Sequence, residues 1–223
     1  MITLAPQKSI ADALALPEMS TVTVRKTLKA GETLWVQGNQ NKFFFFIHSG
    51  LIKLTSSSGT GRDVITEFLF EGDVCGALCA LDCHPYPTTA KCVQETEVSI
   101  IPTAAFHQLA ERHPEVMITS ARCCQTKMRF QREMMVGMAV ERAEQRAARA
   151  LLMLAGRLGE RTPGGLRLKM PLSRQEFSEL VGTTVETAIR VLSRFRKQGL
   201  LEEKSDMMIL RGEAQLMKMA TAA

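Results

Sequence analysis

One stretch near the C-terminus, residues 171–201, constrains the fold of this 223-residue chain more than any other. It reads PLSRQEFSELVGTTVETAIRVLSRFRKQGLL. Ser173 followed by Glu176 is typical of the capping box that begins a helix. Gly182 then predicts a left-handed turn, because glycine adopts that conformation without a steric penalty. Thr183 followed by Glu186 predicts a second capping box, so the stretch predicts two short helices joined by a tight turn.

The side chains of these two helices favour a DNA-binding helix-turn-helix. Apolar residues recur on one face of each helix, at Phe177, Leu180, Val181, Ala188, Val191, Leu192 and Phe195. The second helix also carries four basic residues, Arg190, Arg194, Arg196 and Lys197. The runs LRLKM before the motif and LLEEK and MMILR after it predict short strands, the last two joined across Ser205-Asp206. The pattern therefore predicts a winged helix-turn-helix, with a plain helical hairpin as the alternative.

The charge distribution agrees with a polyanion partner for the C-terminal part. Residues 1–140 carry 13 Lys and Arg against 13 Asp and Glu, whereas residues 141–223 carry 15 against 10. The whole net charge of +5 therefore lies in residues 141–223. A basic surplus of this kind favours nucleic acid, although a solvated basic face is the alternative.

The rest of the chain predicts a β-rich domain followed by a long helix. Short β-like runs ended by glycine fill residues 21–102, which favours a β-barrel or jelly-roll-like domain over a plain sandwich without a pocket. A long helix is predicted from about Pro114, and one face repeats at alternating steps of three and four residues. That face is a predicted homodimer seam, with packing against the β-domain as the alternative: Met117, Ala121, Cys124, Met128, Gln131, Met135 and Met138.

Taken together, these features resemble the CRP/FNR family of bacterial transcription regulators. The segment SRQEFSELVGTTVETAIRVLSRFRKQGLL is similar to the family's helix-turn-helix, and GETLWVQG, FFFFIHSGLIKL and FLFEGDV are similar to its cyclic-nucleotide-binding β-roll. The resemblance implies an α+β chain. It also implies a β-roll effector or sensor domain in residues 1–112, a dimerisation helix in 113–139 and a winged helix-turn-helix in 140–223.

The resemblance also implies a function. Family members are homodimeric regulators that read near-palindromic double-stranded DNA, and an effector in the β-roll repositions the two recognition helices. We therefore expect a transcription regulator, an activator that contacts RNA polymerase, and no enzyme. No constellation of catalytic acid, base and nucleophile is evident in the sequence.

Base-reading residues follow from the family pattern E-T-x-x-R, which matches Glu186, Thr187 and Arg190. Arg190 can donate to guanine O6 and N7, Glu186 can accept from cytosine N4, and Ile189 can contact a thymine methyl group. Val185 occupies the preceding position, as in the FNR-like branch. The spacing of Glu186 and Arg190 also permits an ion pair. Phosphate contacts are predicted for a further set: Ser173, Arg174, Thr183, Thr184, Thr187 and Arg194.

The effector segment departs from the nucleotide-binding pattern. Relatives that bind a cyclic nucleotide carry Gly-Glu-Leu and then Arg-Ser-Ala, but this chain has Gly76-Ala77-Leu78 and Tyr86-Pro87-Thr88-Thr89. The ribose carboxylate and the phosphate arginine are both missing, and burying an unpaired phosphate is unfavourable. Lys91 is a nearby cation, but the sequence does not fix where its side chain points. A cyclic nucleotide is therefore not the expected effector.

Cysteines in the same segment suggest other effectors. If residues 75–83 form a helical turn, three cysteines lie on one face, and a fourth cysteine and a histidine are nearby. An iron-sulfur cluster, haem or a thiol switch could use them, although the spacing matches no standard zinc or ferredoxin pattern. The candidates are Cys75, Cys79, Cys83, Cys92 and His84. The alternatives are cysteines that merely fill a core and a regulator that binds DNA constitutively.

The sequence predicts no membrane partner. No apolar run approaches the roughly 20 residues that span a bilayer. The N-terminus lacks the basic region and compact apolar block of a signal peptide. We therefore expect a cytoplasmic protein whose six cysteines are mostly reduced.

Overall fold

The fold is described from a computed structural model of the chain, which covers Asp12, Leu14 and residues 17–57, 63–76, 84–169, 172–204 and 207–221. The chain forms two compact units, Met1–Gln131 and Arg132–Ala223. No helix in these described ranges is long and apolar enough to cross a membrane.

The first unit contains two four-stranded antiparallel sheets. Its strands are β1 (Val24–Leu28), β2 (Thr33–Trp35), β3 (Phe43–Ser49), β4 (Leu51–Ser57), β5 (Asp63–Phe70), β6 (Val74–Cys75), β7 (Thr89–Cys92) and β8 (Thr96–Pro102). One sheet has the order β1-β8-β3-β6 and the other the order β2-β7-β4-β5. The short runs therefore predict most of the strands of this unit.

The last β-like run, KCVQETEVSIIP at residues 91–102, contains parts of two strands and not one strand. The run KCVQETEVSIIP contains the end of β7 and all of β8, which belong to different sheets. The Thr96 hydroxyl donates to the Gln94 carbonyl at 2.9 Å, and the Leu51 backbone N–H donates to the same hydroxyl at 3.2 Å. These side-chain bonds stabilise the bend by which the chain leaves one sheet for the other.

Aromatic rings fill the space between the sheets. Trp35 stacks on Phe45 and on Tyr86, with ring centroids 4.9 Å apart in both pairs. The Tyr86 hydroxyl donates to the Phe43 carbonyl at 3.0 Å, which gives this buried polar group a partner. Ala90 and Cys92 of β7 point into the same cluster, whereas Lys91 between them is exposed.

Three helices flank the sheets: α1 (Pro17–Ser20), α2 (Thr103–Arg112) and α3 (Pro114–Val140). Phe106 of α2 stacks on Phe44 of β3, with centroids 4.4 Å apart. Cys123 of α3 is buried in the same apolar cluster. Helix α3 begins at Pro114, as the sequence predicts, because the fixed φ of proline suits the first helical position.

The second unit is the winged helix-turn-helix. It contains α4 (Ala143–Leu158), β9 (Glu160–Thr162), β10 (Gly165–Lys169), α5 (Arg174–Val181), α6 (Val185–Lys197), β11 (Leu201–Lys204), β12 (Met207–Leu210) and α7 (Glu213–Thr221). The sheet order is β11-β12-β10-β9. The three predicted strands are present and β9 is an addition, while the predicted turn at Ser205-Asp206 lies outside the described residues. The predicted α+β class is confirmed.

Candidate nucleic-acid interface

The first helix of the motif begins and ends as the sequence predicts. The Ser173 hydroxyl accepts the Glu176 backbone N–H at 3.2 Å, and the Glu176 carboxylate accepts the Ser173 N–H at 2.9 Å. Gly182 ends the helix with φ 68° and ψ 49°, which is left-handed backbone. The capping box and the glycine turn are therefore confirmed.

The N-cap of the second helix lies one residue later than predicted. Its N-cap is Thr184, whose hydroxyl accepts the Thr187 backbone N–H at 3.3 Å. The Thr183 N–H donates to the Ser178 carbonyl at 3.0 Å, so Thr183 belongs to the turn. The predicted capping box from Thr183 to Glu186 is therefore wrong.

The predicted base-reading residues lie together on the exposed face of α6. Ile189 is 48% exposed and Arg190 is exposed, while the opposite face packs into the core through Ala188, Val191, Leu192 and Phe195. A shallow groove runs along the exposed face and is lined by Glu186, Ile189, Arg190, Ser193, Arg194 and Lys197. The helix thus presents a carboxylate, an apolar side chain and a guanidinium on one surface.

The electrostatic state of this face suits hydrogen bonding to bases. Hydrogen bonds from its own backbone N–H and from the Thr184 hydroxyl lower the pKa of the Glu186 carboxyl. The carboxyl group is therefore ionised at neutral pH and can act only as an acceptor. Among the described residues, no carboxylate lies within ion-pair distance of Arg190, so the Glu186–Arg190 pair that the spacing permits is not formed.

The predicted phosphate contacts lie at the start of the two helices and on α6. Ser173 and Thr184 are the two N-caps, Thr183 lies in the turn, and Thr187 lies in the first turn of α6. The two arginines of the set each have a carboxylate partner. Arg174 pairs with Glu203 of β11 at 2.8 Å, and Arg194 pairs with Glu144 of α4.

A buried arginine that the sequence does not flag holds the turn in place. Arg146 of α4 is 8% exposed. It donates to the carbonyls of Val181 at 2.8 Å, Gly182 at 3.1 Å and Glu141 at 2.7 Å. Three carbonyl acceptors satisfy this buried cation, and they fix the end of α5 relative to α4.

The predicted seam is largely exposed on α3. Met128 is 57% and Met135 67% exposed, and Ala121, Gln131 and Met138 are exposed too. Cys124 is half-buried. Met117 differs, because its half-buried side chain packs against the apolar cluster around Phe44 and Phe106.

The cysteines of the effector segment fit a core better than a metal site in the described part of the chain. Cys75 ends strand β6, and most of the segment considered for a helical turn, residues 77–83, lies outside the described residues. Cys75 and Cys92 pack on one apolar cluster, and burial raises the pKa of the Cys92 thiol. His84 is exposed, and no three His, Cys, Asp or Glu residues in the described ranges could hold a metal ion. Cys79 and Cys83 lie outside those ranges.

Both units match known families. The family model of the cyclic nucleotide-binding domain matches residues 25–113, and that of the Crp-like helix-turn-helix domain matches residues 145–219. The chain is 32% identical to the transcriptional activator protein FnrA of Stutzerimonas stutzeri, over 79% of this chain and 72% of the relative. It is 30% identical to the transcriptional activator protein anr of Pseudomonas aeruginosa, with the same coverage.

Solved structures show the same fold. FixK2 from Bradyrhizobium japonicum has a TM-score of 0.79 at 22% identity and covers 91% of this chain and 99% of its own. A CooA mutant from Carboxydothermus hydrogenoformans has a TM-score of 0.80 at 16% identity and covers 99% of this chain and 98% of its own. At these identities the likeness concerns the fold alone.

Proposed function

Because this chain belongs to the CRP/FNR family of transcription regulators, we propose that it is a homodimeric activator that reads a near-palindromic DNA site with helix α6. The observation that carries this proposal is the exposed surface formed by Glu186, Ile189 and Arg190. These side chains have no structural role in the core, since the opposite face of α6 packs inward.

Base recognition follows from the chemistry of the three side chains. An α-helix fits the major groove, where the Arg190 guanidinium can donate two hydrogen bonds to guanine O6 and N7. The ionised Glu186 carboxylate can accept from the cytosine N4 amine, and Ile189 can pack on a thymine methyl group. Together these contacts distinguish base pairs, whereas Ser173, Thr183, Thr184, Thr187, Arg174 and Arg194 would set the register on phosphates.

Dimer formation is supported by the exposed apolar side chains of α3. Met128 and Met135 are more than half exposed on a helix of 27 residues, and large exposed methionines are unfavourable in water. A second copy of α3 would cover them in the a/d manner of a coiled coil. Two recognition helices related by a twofold axis would then read two half-sites. The relatives FnrA and anr are transcriptional activator proteins, which supports activation, and RNA polymerase is the expected partner for it.

Replacing Arg190 by alanine tests base reading. We expect the variant to lose about 1–3 kcal/mol of binding free energy for the selected operator and to tolerate any base pair at one position of each half-site. The operator is first selected from a randomised duplex library with the unchanged protein. Competition gel shifts with single-base variants then measure the preference.

Light scattering on the same samples is the control. Both proteins should have twice the 24.7 kDa mass of one chain, because Arg190 lies far along the sequence from the proposed seam. An unchanged base preference in the Arg190 variant would contradict the assignment of α6 as the reading helix. A monomeric mass for the unchanged protein would contradict the dimer.

The effector of the β-roll is proposed not to be a cyclic nucleotide. In the described part of the first unit, the fully buried polar side chains are Thr55, Asp73, Thr96, Ser99 and Ser120, and none of these is a cation. The largely buried cation Lys127 is already paired with the Glu67 carboxylate. Lys91 is exposed, and the rings of Trp35, Phe45 and Tyr86 occupy the interior. A buried phosphate would lack the paired charge that it needs.

Cyclic AMP is therefore expected to leave the operator affinity within about twofold, well below the tenfold change that 1.4 kcal/mol of coupling would give. Gel shifts with and without millimolar cyclic AMP measure this.

Anaerobically purified protein, assayed for iron, sulfide and visible absorbance, tests the cysteine interpretation. A colourless, metal-free protein whose DNA affinity is unchanged on oxidation would leave Cys79 and Cys83 without a sensing role.

A further inference from the structure

The arginines of the helix-turn-helix fall into two groups according to their partners. Arg190, the proposed base reader, has no carboxylate partner among the described residues. Arg174, at the first position of α5, lies 2.8 Å from the Glu203 carboxylate. Arg196 approaches the other oxygen of the same carboxylate at 3.5 Å. Strand β11 of the wing therefore places one carboxylate between two cations of the motif.

We propose that Glu203 is an affinity-limiting residue that pairs with Arg174 and Arg196 in the free protein and so competes with DNA phosphate for these two cations. The inference rests on the proposed function, in which Arg174 contacts phosphate. Phosphate contacts contribute affinity without reading sequence, so cations that bind any phosphate strengthen specific and non-specific complexes alike. An internal carboxylate that competes for those cations lowers both affinities.

The competition affects the two kinds of complex unequally. In the operator complex, base contacts fix the register, so Arg174 is held against one phosphate and Glu203 is displaced. On other sequences the protein has no fixed register, and the Glu203 pairs persist because a loose phosphate contact is worth less than the pair. Operator binding therefore loses the full free energy of the pair, and non-specific binding loses no more than that amount.

The strength of these pairs suits reversible competition. Arg174 and Arg196 have side chains 41% and 55% exposed, whereas Glu203 is 21% exposed. Partly exposed ion pairs contribute roughly 0.2–1 kcal/mol, which corresponds to at most about a fivefold change in an equilibrium constant. A DNA phosphate can therefore replace the carboxylate without unfolding the wing.

The adjacent residue Glu202 provides a matched control. Successive side chains of a strand point to opposite faces, so Glu202 points away from Arg174. It pairs instead with Arg211 at 2.6 Å and with Lys204 at 2.9 Å. Hydrogen bonds from Lys204 and Arg211 lower the pKa of the Glu202 carboxyl, so it too is ionised at neutral pH. Glu202→Gln and Glu203→Gln thus make the same change in net charge on the same strand.

The experiment measures dissociation constants for the selected operator duplex and for a scrambled duplex of equal length, at several salt concentrations. For Glu203→Gln we expect affinity for the operator to rise by up to about fivefold, with an equal or smaller rise for the scrambled duplex. The dependence of log K on log salt for the scrambled duplex should steepen by about one, because a freed arginine releases one more counterion. Glu202→Gln should raise operator affinity less than twofold.

Two results would overturn the inference. Equal effects of Glu202→Gln and Glu203→Gln would show that only net charge matters. A loss of operator affinity in folded Glu203→Gln would show that the carboxylate orients Arg174 for binding rather than competing with DNA. Circular dichroism establishes folding, and Glu203→Asp, which withdraws the carboxylate by one methylene, replaces the variant if it is unfolded.

Arg174→Gln separates this inference from the proposed function. A weaker complex with both duplexes shows that Arg174 contacts phosphate, and the Glu203 comparison then decides the inference alone. If Arg174→Gln leaves both affinities unchanged, the phosphate contact itself is wrong, and the inference is overturned with it. The Arg190 variant still tests base reading independently of either outcome.

Discussion

Replacing Phe195 by alanine is expected to lower the free energy of unfolding of the helix-turn-helix unit by about 3–5 kcal/mol. Phe195 is fully buried on the inner face of α6. Removing its ring leaves a cavity that the surrounding close-packed side chains fill only partly. Because small domains have stabilities of about 5–15 kcal/mol, the variant should lose much of its DNA binding near 37 °C.

Urea unfolding followed by far-ultraviolet circular dichroism measures this change, with operator binding measured on the same samples. Lys218→Ala is the control, since it shortens an exposed side chain on α7, away from the groove of α6. It should change stability by no more than about 0.5 kcal/mol. If the free energy of unfolding of Phe195→Ala lies within about 1 kcal/mol of that of the unchanged protein, the packing of α6 is contradicted.

The second large effect is expected at a buried ion pair of the first unit. Lys127 of α3 lies 2.8 Å from the Glu67 carboxylate of β5 and donates to the Val74 carbonyl of β6 at 3.2 Å. The two charged side chains are only 15% and 17% exposed. Burial by itself lowers the pKa of the Lys127 ammonium, but the Glu67 and Asp73 carboxylates outweigh it and raise that pKa above its ordinary value.

Lys127→Met is therefore expected to cost about 3–5 kcal/mol, because it leaves the Glu67 carboxylate buried without its cation. The protein contains a single tryptophan, Trp35, in this unit, so urea unfolding followed by its fluorescence reports the change directly. Lys91→Met makes the same substitution at an exposed position of β7 and should change stability by no more than about 0.5 kcal/mol.

A double-mutant cycle distinguishes pairing from packing. Glu67→Gln added to Lys127→Met should cost less than the sum of the single changes, by roughly 0.5–3 kcal/mol, since no charge is then left unpaired. Additive effects would mean that the two groups do not interact. Lys127 also links α3 to β6 through its hydrogen bond to the Val74 carbonyl, and β6 leads to the effector segment, so the Lys127 variant shows whether that link affects operator affinity.

The sequence signals that succeeded are short in range. Ser173 and Glu176 are three residues apart, and their reciprocal hydrogen bonds depend only on the first turn of α5. The spacing of Leu192 and Phe195 fixes the buried face of α6, and the exposed face that carries Glu186 and Arg190 follows from it. Local geometry therefore sufficed for the candidate reading surface.

The signals that failed depend on choices between nearly equal local options. Thr183 and Thr184 can each cap a helix, and the turn decided between them by using the Thr183 N–H for the Ser178 carbonyl. Cys75 pairs with Phe45 of β3 at the end of β6, while the helical turn considered for residues 75–83 lies largely outside the described residues and stays a prediction. The seam on α3 and the roles of Cys79 and Cys83 stay predictions.

By itself, the sequence determined the secondary structure of the motif, the order of its parts and the exposed face of α6 that is proposed to read DNA, because these depend on residues within a few turns of one another. Only the tertiary structure decided which charges are neutralised. Glu67 and Lys127, Glu144 and Arg194, and Arg174 and Glu203 are far apart along the chain, and each looks like an ordinary solvated charge in the sequence. Ion pairing depends on distances of a few ångströms, which folding alone sets for residues so distant in the chain.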